Sequence, residues 1–294
     1  MGAKFDRDKW LDWHTYYDNI EQCKNAVKLA KANDDVLWDI VDDNISCNLS
    51  LIEDVFANDW IDEAMYGKYQ GPVLVCGAGP SLPFYLPAVK EKYLEGVPVI
   101  AVDRAFRLLK ANGIKPMLTV SVDPQMTVRR FYDDIEPDDT VALSFGVNMS
   151  TTIKAMDSNI LWFAPMHPVS PFWGLQYVNY GKKIATVRPG GVVGYSAVDI
   201  AIWCGFDMIV SIGNDFSWKY DDFSETVFFA RGGFDFINLK EEKRFTIKPF
   251  QDAANTFSYF PHWHPEVEFI DASDGIIKGW KKQLFYSKEQ EVVQ

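Results

Sequence analysis

The sequence predicts an α/β fold, in which helices cover both faces of a doubly wound, mainly parallel sheet. Three observations support this prediction. From residue 71 onward, short β-branched runs alternate with helical segments, which is the pattern of parallel strands joined by crossover helices. The first run, Val73–Cys76, leads directly into a glycine-containing loop and then a helix. Several later runs end in carboxylates, glycines or an arginine.

Residues 1–66 are predicted to form a helical appendage to the main domain, residues 67–294. We expect this appendage to pack on the main domain or on another subunit, which would give a homo-oligomer joined through the N-terminal helices. An apolar stripe at three- and four-residue spacing predicts an amphipathic helix in it, with the members Trp38, Val41, Ile45, Leu49, Ile52 and Val55.

Strands and helices alternate along the main domain. The predicted strands are Val73–Cys76, Val99–Val102, Met117–Val122, Val141–Ser144, Ile160–Ala164, Met208–Ile212 and Val267–Ile270. The predicted helices lie near Ser81–Leu94, Ala105–Asn112, Ser150–Met156, Val192–Cys204 and Ile247–Tyr259, with another starting near Gln125. Residues 217–246 break this rhythm, and an insertion of this length after a core strand is often a lid over a site. Its polar and aromatic residues include Tyr220, Asp221 and Arg231.

Composition and charge narrow the function classes. A net charge of −12 disfavours binding to nucleic acid or to an anionic membrane surface. The 4 cysteines show no CxxC spacing, which indicates reduced thiols. The charged N-terminus does not resemble a signal peptide, and no apolar run approaches membrane-spanning length. We therefore expect a cytoplasmic protein without membrane insertion.

The loop Gly77-Ala78-Gly79-Pro80-Ser81 is the first candidate for ligand binding. Its two glycines would let the backbone approach a ligand, and the helix after it would present free N–H groups and a positive dipole end. Ser81 is expected to cap that helix. These features suit a phosphate group, although the same pattern also serves packing alone. The loop lacks the Gly-Lys-Ser/Thr of a Walker A motif and the third glycine of the dinucleotide fingerprint.

Polar residues at other strand ends form the second candidate. Ligands of open α/β sheets bind beyond the carboxyl ends of the strands, so residues that follow the apolar runs are expected to meet at one edge. Any single aspartate there could instead cap a helix or form a turn. His262 and His264 have no third ligand nearby, so no metal site is expected from them. The candidates are Asp103, Arg104, Asp123, His167 and Asp215, together with Arg188 before Gly190 and Gly191, which suits phosphate or carboxylate recognition.

With these residues placed, the sequence resembles the family that contains flagellin-modifying motility-associated factors (Maf) and archaeal 6-hydroxymethylpterin diphosphokinase-like proteins. The resemblance covers about 71 to 280 and leaves most of the N-terminal helices outside it. The motifs that carry it are Gly-Ala-Gly-Pro-Ser-Leu at 77–82, Ala-Val-Asp-Arg-Ala at 101–105, Ser-Val-Asp-Pro at 121–124, the pair Gly190-Gly191, Gly-Asn-Asp-Phe at 213–216, and Phe-Ile-Asp-Ala-Ser-Asp-Gly at 269–275.

One branch of this family resembles bacterial sialyltransferases, which use a cytidine-monophosphate sugar on a Rossmann-like fold with a lid and no metal. The resemblance implies that the glycine loop holds the phosphate side of the nucleotide and that Asp103 and Asp123 contact donor groups. It places Asp215 at the hinge of the lid. That branch has a catalytic histidine in its lid, and residues 217–246 contain none. His167, His262 or a lid acid such as Asp221 could serve as the general base instead, and His167 is our choice.

The other branch transfers diphosphate from ATP to a pterin alcohol, which needs Mg²⁺ between carboxylates and phosphates. In that branch a second acidic residue lies near the position of Asp123, where this chain has Ser121. This difference counts against the diphosphokinase interpretation.

The leading hypothesis is a glycosyltransferase-like enzyme that moves a sugar from a nucleotide-activated donor, such as a CMP-linked nonulosonic acid, to an acceptor hydroxyl without a metal or other cofactor. The alternatives are an ATP- and Mg²⁺-dependent diphosphokinase and a nucleotide-binding protein without catalysis. The hypothesis assigns catalysis to His167 and Asp215, and nucleotide binding to Gly77, Ala78, Gly79, Pro80, Ser81, Asp103, Arg104, Asp123, Arg188, Gly190 and Gly191.

Overall fold

The computed structural model describes residues 40–41, 43–51, 61–165, 186–187, 191–219 and 236–283. Its helices are α1 (residues 40–41 and 43–51), α2 (Ile61–Met65), α3 (Leu82–Leu94), α4 (Asp103–Ala111), α5 (Met149–Ala155), α6 (Val193–Cys204), α7 (Lys248–Phe257) and α8 (Phe260–Trp263). Its strands are β1 (Pro72–Cys76), β2 (Val99–Val102), β3 (Leu118–Ser121), β4 (Thr140–Ser144), β5 (Asn159–Pro165), β6 (Thr186–Val187), β7 (Met208–Ile212), β8 (Trp218–Lys219), β9 (Phe236–Leu239), β10 (Arg244–Ile247), β11 (Glu268–Asp271) and β12 (Lys281–Lys282).

A nine-stranded parallel sheet forms the centre of the protein, in the order β12-β11-β7-β1-β2-β3-β4-β5-β6. From β1 the chain adds β2 to β6 on one side, and then β7, β11 and β12 on the other. The predicted α/β fold with a doubly wound parallel sheet is therefore confirmed. The direction of strand addition reverses between β1 and β7, which makes this pair the topological switch point where such sheets bind ligands.

Burial explains why the central strands consist of uninterrupted apolar runs. Val73–Cys76 of β1 and all of β2 are buried, because helices cover both faces of the sheet. Helix α6 crosses this sheet and contacts β1, β2 and β3. Every residue of α6 from Gly194 to Cys204 is buried, as expected for a core helix that is apolar on all sides.

Helix α1 contributes to a second apolar core beside the edge that carries β4 and β5. Ile45 is buried there with Tyr132, Leu143 and Phe145, and Val41 packs against the same cluster. The amphipathic stripe predicted in the N-terminal region therefore packs against the main sheet over its described part. The division of the chain into an appendage and a main domain stays a prediction, as does association through the N-terminal helices.

Two segments form a type of secondary structure that the sequence did not predict. The helix expected near Gln125 is a 3₁₀ helix, Met126–Tyr132. The Asp123 carboxylate accepts the Gln125 N–H at 2.9 Å and so forms a tight turn directly before this 3₁₀ helix. The expected lid contributes a small antiparallel sheet in the order β8-β10-β9. The predicted lid residues Tyr220, Asp221 and Arg231 lie outside the described residues. No helix in the described ranges is long and apolar enough to cross a membrane.

Candidate active site at the carboxyl edge of the sheet

The loop after β1 and the turn after β7 lie against each other at the switch point. The Gly77 N–H donates to the Ile212 carbonyl at 2.7 Å, and the Gly79 N–H donates to the Gly213 carbonyl at the same distance. A Cβ atom on Gly79 would lie 2.2 Å from Oδ2 of Asp215 and 2.6 Å from the Gly213 carbonyl. This contact between the loop and the turn therefore requires a glycine at both positions, whether or not the loop also binds a ligand.

The Asp215 carboxylate connects this turn to the start of α3. Its Oδ2 accepts the backbone N–H of Ser81 at 3.0 Å, and the residue is only 1% exposed. Burial raises the pKa of Asp215, while the hydrogen bond from Ser81 opposes that rise. The expectation that the Ser81 side chain caps the helix is wrong, because that side chain makes no capping bond. The carboxylate of Asp215 occupies this position instead, where the helix dipole favours a negative charge.

These contacts limit the number of backbone N–H groups that the glycine loop can donate to a phosphate. Three of its N–H groups, on Gly77, Gly79 and Ser81, already donate to acceptors within the protein. Pro80 has no N–H to offer. Phosphate binding by this loop stays a prediction, as does a catalytic role for Asp215, whose visible role is to hold the loop in place.

Asp103 is a buried carboxyl group with a raised pKa at the carboxyl edge of the sheet. It begins α4 directly after β2 and is 6% exposed. Oδ1 accepts the Arg104 N–H at 2.6 Å, and Oδ2 accepts the Ser121 hydroxyl at 3.2 Å. Burial raises the pKa of Asp103 to about 7, and the charge of Asp123 adds to this rise against the lowering effect of the two hydrogen bonds. A carboxyl group of this kind exchanges a proton near neutral pH.

Asp123 lies beside Asp103 because β2 and β3 are adjacent parallel strands that end at the same edge. It is half-buried, and burial raises its pKa as well. The structure also changes the meaning of Ser121, which sequence reasoning treated as a missing acid. The Ser121 hydroxyl donates to the Asp103 carboxylate. The charge of Asp123 also acts on Asp103, so Asp103 is a second acidic group in the neighbourhood of Asp123.

Helix α6 begins at the same switch point. A Cβ atom on Gly194 would lie 2.3 Å from Oδ1 of Asn214, so the first turn of α6 packs closely on the turn after β7. Gly191, two residues before the helix, is exposed and has a positive φ of 75°. Three other predicted site residues, His167, Arg188 and Gly190, lie outside the described residues.

Sequence reasoning missed two asparagines of α1 that belong to this edge. Asn44 and Asn48 are both buried and donate to backbone carbonyls in the loops that follow β3 and β4. The available signal was a pair of amides four residues apart, next to Ile45 in the predicted apolar stripe. Since such residues rarely lie in a core without hydrogen-bond partners, the pair indicated a specific acceptor elsewhere in the chain.

One cluster of acidic side chains lies at the opposite edge of the sheet. Glu136, Asp138 and Asp139, just before β4, have ligand atoms within 4.8 Å of one another. Lys110 pairs with Glu136 at 2.7 Å and with Asp139 at 2.8 Å, and Lys115 pairs with Asp138. The lysines already compensate these carboxylates, so we assign the cluster a structural role.

Comparison with known proteins identifies the family. The family model described as "6-hydroxymethylpterin diphosphokinase MptE-like" matches residues 44–221, which is more than half of the chain. The chain belongs to the MptE-like family. The match begins inside α1, so this MptE-like chain shares more of its N-terminal region with the family than the resemblance from residue 71 implied. A search of the curated proteins found no relative that matches the chain.

A solved structure supports the fold. The chain is similar to the structure of the MAf glycosyltransferase from Magnetospirillum magneticum AMB-1, with a TM-score of 0.60 and 15% sequence identity. The match covers 75% of this chain and 35% of that one, so the chain spans about a third of the length of the larger protein. At this identity the likeness establishes a shared fold, and the expected resemblance to the Maf and MptE-like proteins is confirmed.

The contact at Gly79 predicts a steric effect on stability. Gly79→Ala should lower the melting temperature clearly, because the added methyl group overlaps a buried carboxylate and a backbone carbonyl, and such overpacking typically costs about 1–3 kcal/mol. Thermal unfolding followed by circular dichroism measures this. Gly146→Ala is the control, since its Cβ atom would meet a side-chain methyl of Val41 at 3.2 Å and Oγ of Ser144 at 3.7 Å, and it should have a smaller effect. An unchanged melting temperature for Gly79→Ala would contradict the contact.

The environment of Asp103 predicts how stability depends on pH. Its folded-state pKa of about 7 exceeds the ordinary value of 3.8, so between these pH values the folded protein binds more protons than the unfolded chain. Stability should therefore fall as pH rises from about 4 to about 7, by an amount on the order of 4 kcal/mol from this group. Asp103→Asn should lose this dependence of stability on pH. As pH rises from 4.5 to 7.5, urea unfolding should show the variant becoming more stable relative to the wild type. A difference in stability between the two proteins that does not change with pH would refute the raised pKa of Asp103.

Proposed function

We propose that this MptE-like chain is a transferase that moves a sugar from a nucleotide-activated donor, such as a CMP-linked nonulosonic acid, to an acceptor hydroxyl. The family and the structural neighbour both carry the names of transferases, which supports a transferase of this or a related kind. The observation that carries the proposal is the buried Asp103 carboxyl group, with a pKa of about 7, at the ligand-binding edge of the sheet.

Glycosyl transfer needs a proton acceptor and stabilisation of the leaving group. The acceptor oxygen forms a bond to the anomeric carbon, the bond from that carbon to the donor phosphate breaks, and the phosphate leaves with the electron pair. Asp103 is suited to take the acceptor proton, because a base with a pKa near the working pH is the most effective. Arg188 and the glycine loop would stabilise the charge that develops on the phosphate. His167 stays an alternative base.

Diphosphoryl transfer from a nucleoside triphosphate is the second candidate, because the charge of Asp123 acts on the buried Asp103 carboxyl group at the ends of two adjacent strands. Each has a raised pKa, and Asp123 contributes to the rise at Asp103, so a cation between them would relieve their repulsion. Mg²⁺ is commonly held by one or two carboxylates together with phosphate oxygens and waters, which these two residues fit. When bound, Mg²⁺ would neutralise charge on the transferred phosphoryl groups.

A thermal-stabilisation screen separates these candidates without knowledge of the acceptor. CMP, CDP, UDP, GDP and ATP are added separately, each with Mg²⁺ and with EDTA, and the melting temperature is recorded. A ligand that binds the native state at about 100 times its Kd stabilises it by about 2.7 kcal/mol. We expect a cytidine nucleotide to raise the melting temperature in EDTA as well as in Mg²⁺.

Stabilisation by ATP that disappears in EDTA would instead establish the diphosphokinase candidate, and no response to any nucleotide would contradict both. Asp103→Asn serves as the matched variant. In the glycosyltransferase case it should still be stabilised by the nucleotide while transfer from the corresponding nucleotide-sugar falls by about 100-fold or more. Asp139→Asn is the control, because Asp139 is an equally buried aspartate at the opposite edge and should leave most of the transfer activity intact.

A further inference from the structure

Helix α1 forms hydrogen bonds to the same edge of the sheet that carries the acidic pair. Asn44, 6% exposed, donates from Nδ2 to the Pro124 carbonyl at 3.0 Å and to the Gly146 carbonyl at 3.2 Å. Its Oδ1 accepts a hydrogen bond from Asn148 at 3.3 Å. Pro124 follows Asp123 directly, so one amide of α1 holds the backbone of the loop that carries this carboxylate.

Asn48 makes an equivalent set of contacts one turn later in α1. It is fully buried and donates from Nδ2 to the Phe145 and Val147 carbonyls, both at 2.8 Å. Its Oδ1 accepts the Thr152 hydroxyl at 2.8 Å. These contacts hold the loop after β4 and the helix that follows it. Asn44 therefore spans the loops after β3 and β4, while Asn48 bonds to the loop after β4 and to α5.

The donors and the acceptor of an asparagine amide explain why Asn44 and Asn48 are suited to these positions. Each amide uses both of its N–H donors and its oxygen acceptor, so each side chain is satisfied in a buried setting. A fully satisfied buried network fixes one arrangement of its members, because any other arrangement breaks several hydrogen bonds at once, including the bond of 3.4 Å from Asn148 to the Pro124 carbonyl. In this network the arrangement that is fixed is the path of the two loops at the carboxyl edge.

We propose that Asn44 is a positioning residue, which holds the Asp123-Pro124 loop in the geometry that the active site requires. The inference rests on the proposed function, since it concerns the same site. Asn44 acts through the backbone of Pro124 and is not itself assigned a contact with substrate.

Two variants of α1 test this role, because one of them is a matched control. Asn44→Ala and Asn48→Ala each remove a buried amide that donates to two backbone carbonyls, so both should lower the melting temperature by similar amounts. Only Asn44→Ala should also lower kcat/KM for nucleotide-sugar transfer, by about 10- to 100-fold beyond the loss in Asn48→Ala, because displacement of a catalytic loop has effects of this size. If the two variants lose activity equally, Asn44 has only a structural role and the proposal fails.

A second readout makes the test independent of the transferase assignment. The pH titration of the Asp123 carboxyl carbon, followed by NMR with carbon-13-labelled aspartate, should shift in Asn44→Ala and stay unchanged in Asn48→Ala. If the wild type transfers no sugar while this titration behaves as expected, the proposed reaction is wrong and the positioning role stands. An Asp123 titration that is the same in both variants overturns the positioning role. Should Asn44→Ala not fold, Asn44→Ser, which keeps one donor, takes its place in both measurements.

Discussion

The close contact between the loop after β1 and the turn after β7 determines how the carboxyl edge of this protein is built. The Gly77 and Gly79 N–H groups donate to the Ile212 and Gly213 carbonyls at 2.7 Å, and this approach is too close for a side chain on either glycine. The Asp215 carboxylate then joins the turn to the N–H of Ser81, directly before α3. Because β1 and β7 are the strands between which the direction of strand addition reverses, this contact shapes the place where open α/β sheets bind their ligands.

The chemistry lies next to this contact, at the ends of β2 and β3. Asp103 and Asp123 are placed together by the parallel register of their strands, and burial makes the charged form of both unfavourable. A proton, a cation or a polar ligand bound at this position would relieve the cost of burying the two charged carboxylates. Perturbed carboxyl groups of this kind cluster at functional sites. Asn44 of α1 donates to the Pro124 carbonyl, so the N-terminal helix is tied to the loop that carries Asp123.

Local patterns were sufficient to predict the fold and the candidate edge, because apolar runs and the polar residues after them are properties of neighbouring positions. Val73–Cys76 and Asp103 are examples. Contacts between distant positions were not predictable in the same way. Ser81 had a good local pattern for a helix cap, yet the capping carboxylate comes from Asp215, 134 residues later. Asn44 meets its acceptors 80 and 102 residues away, and the pKa of Asp103 depends on burial that only the packed sheet supplies.

We expect ligands to bind at the carboxyl edge, between the loop after β1 and the acidic pair. A crystal structure with the nucleotide that stabilises the protein most tests this directly. We expect the phosphate of that nucleotide near the start of α3 and the reacting group within hydrogen-bonding reach of Asp103 or Asp123. A nucleotide bound at another face of the sheet, with the acidic pair distant from it, would contradict the claim.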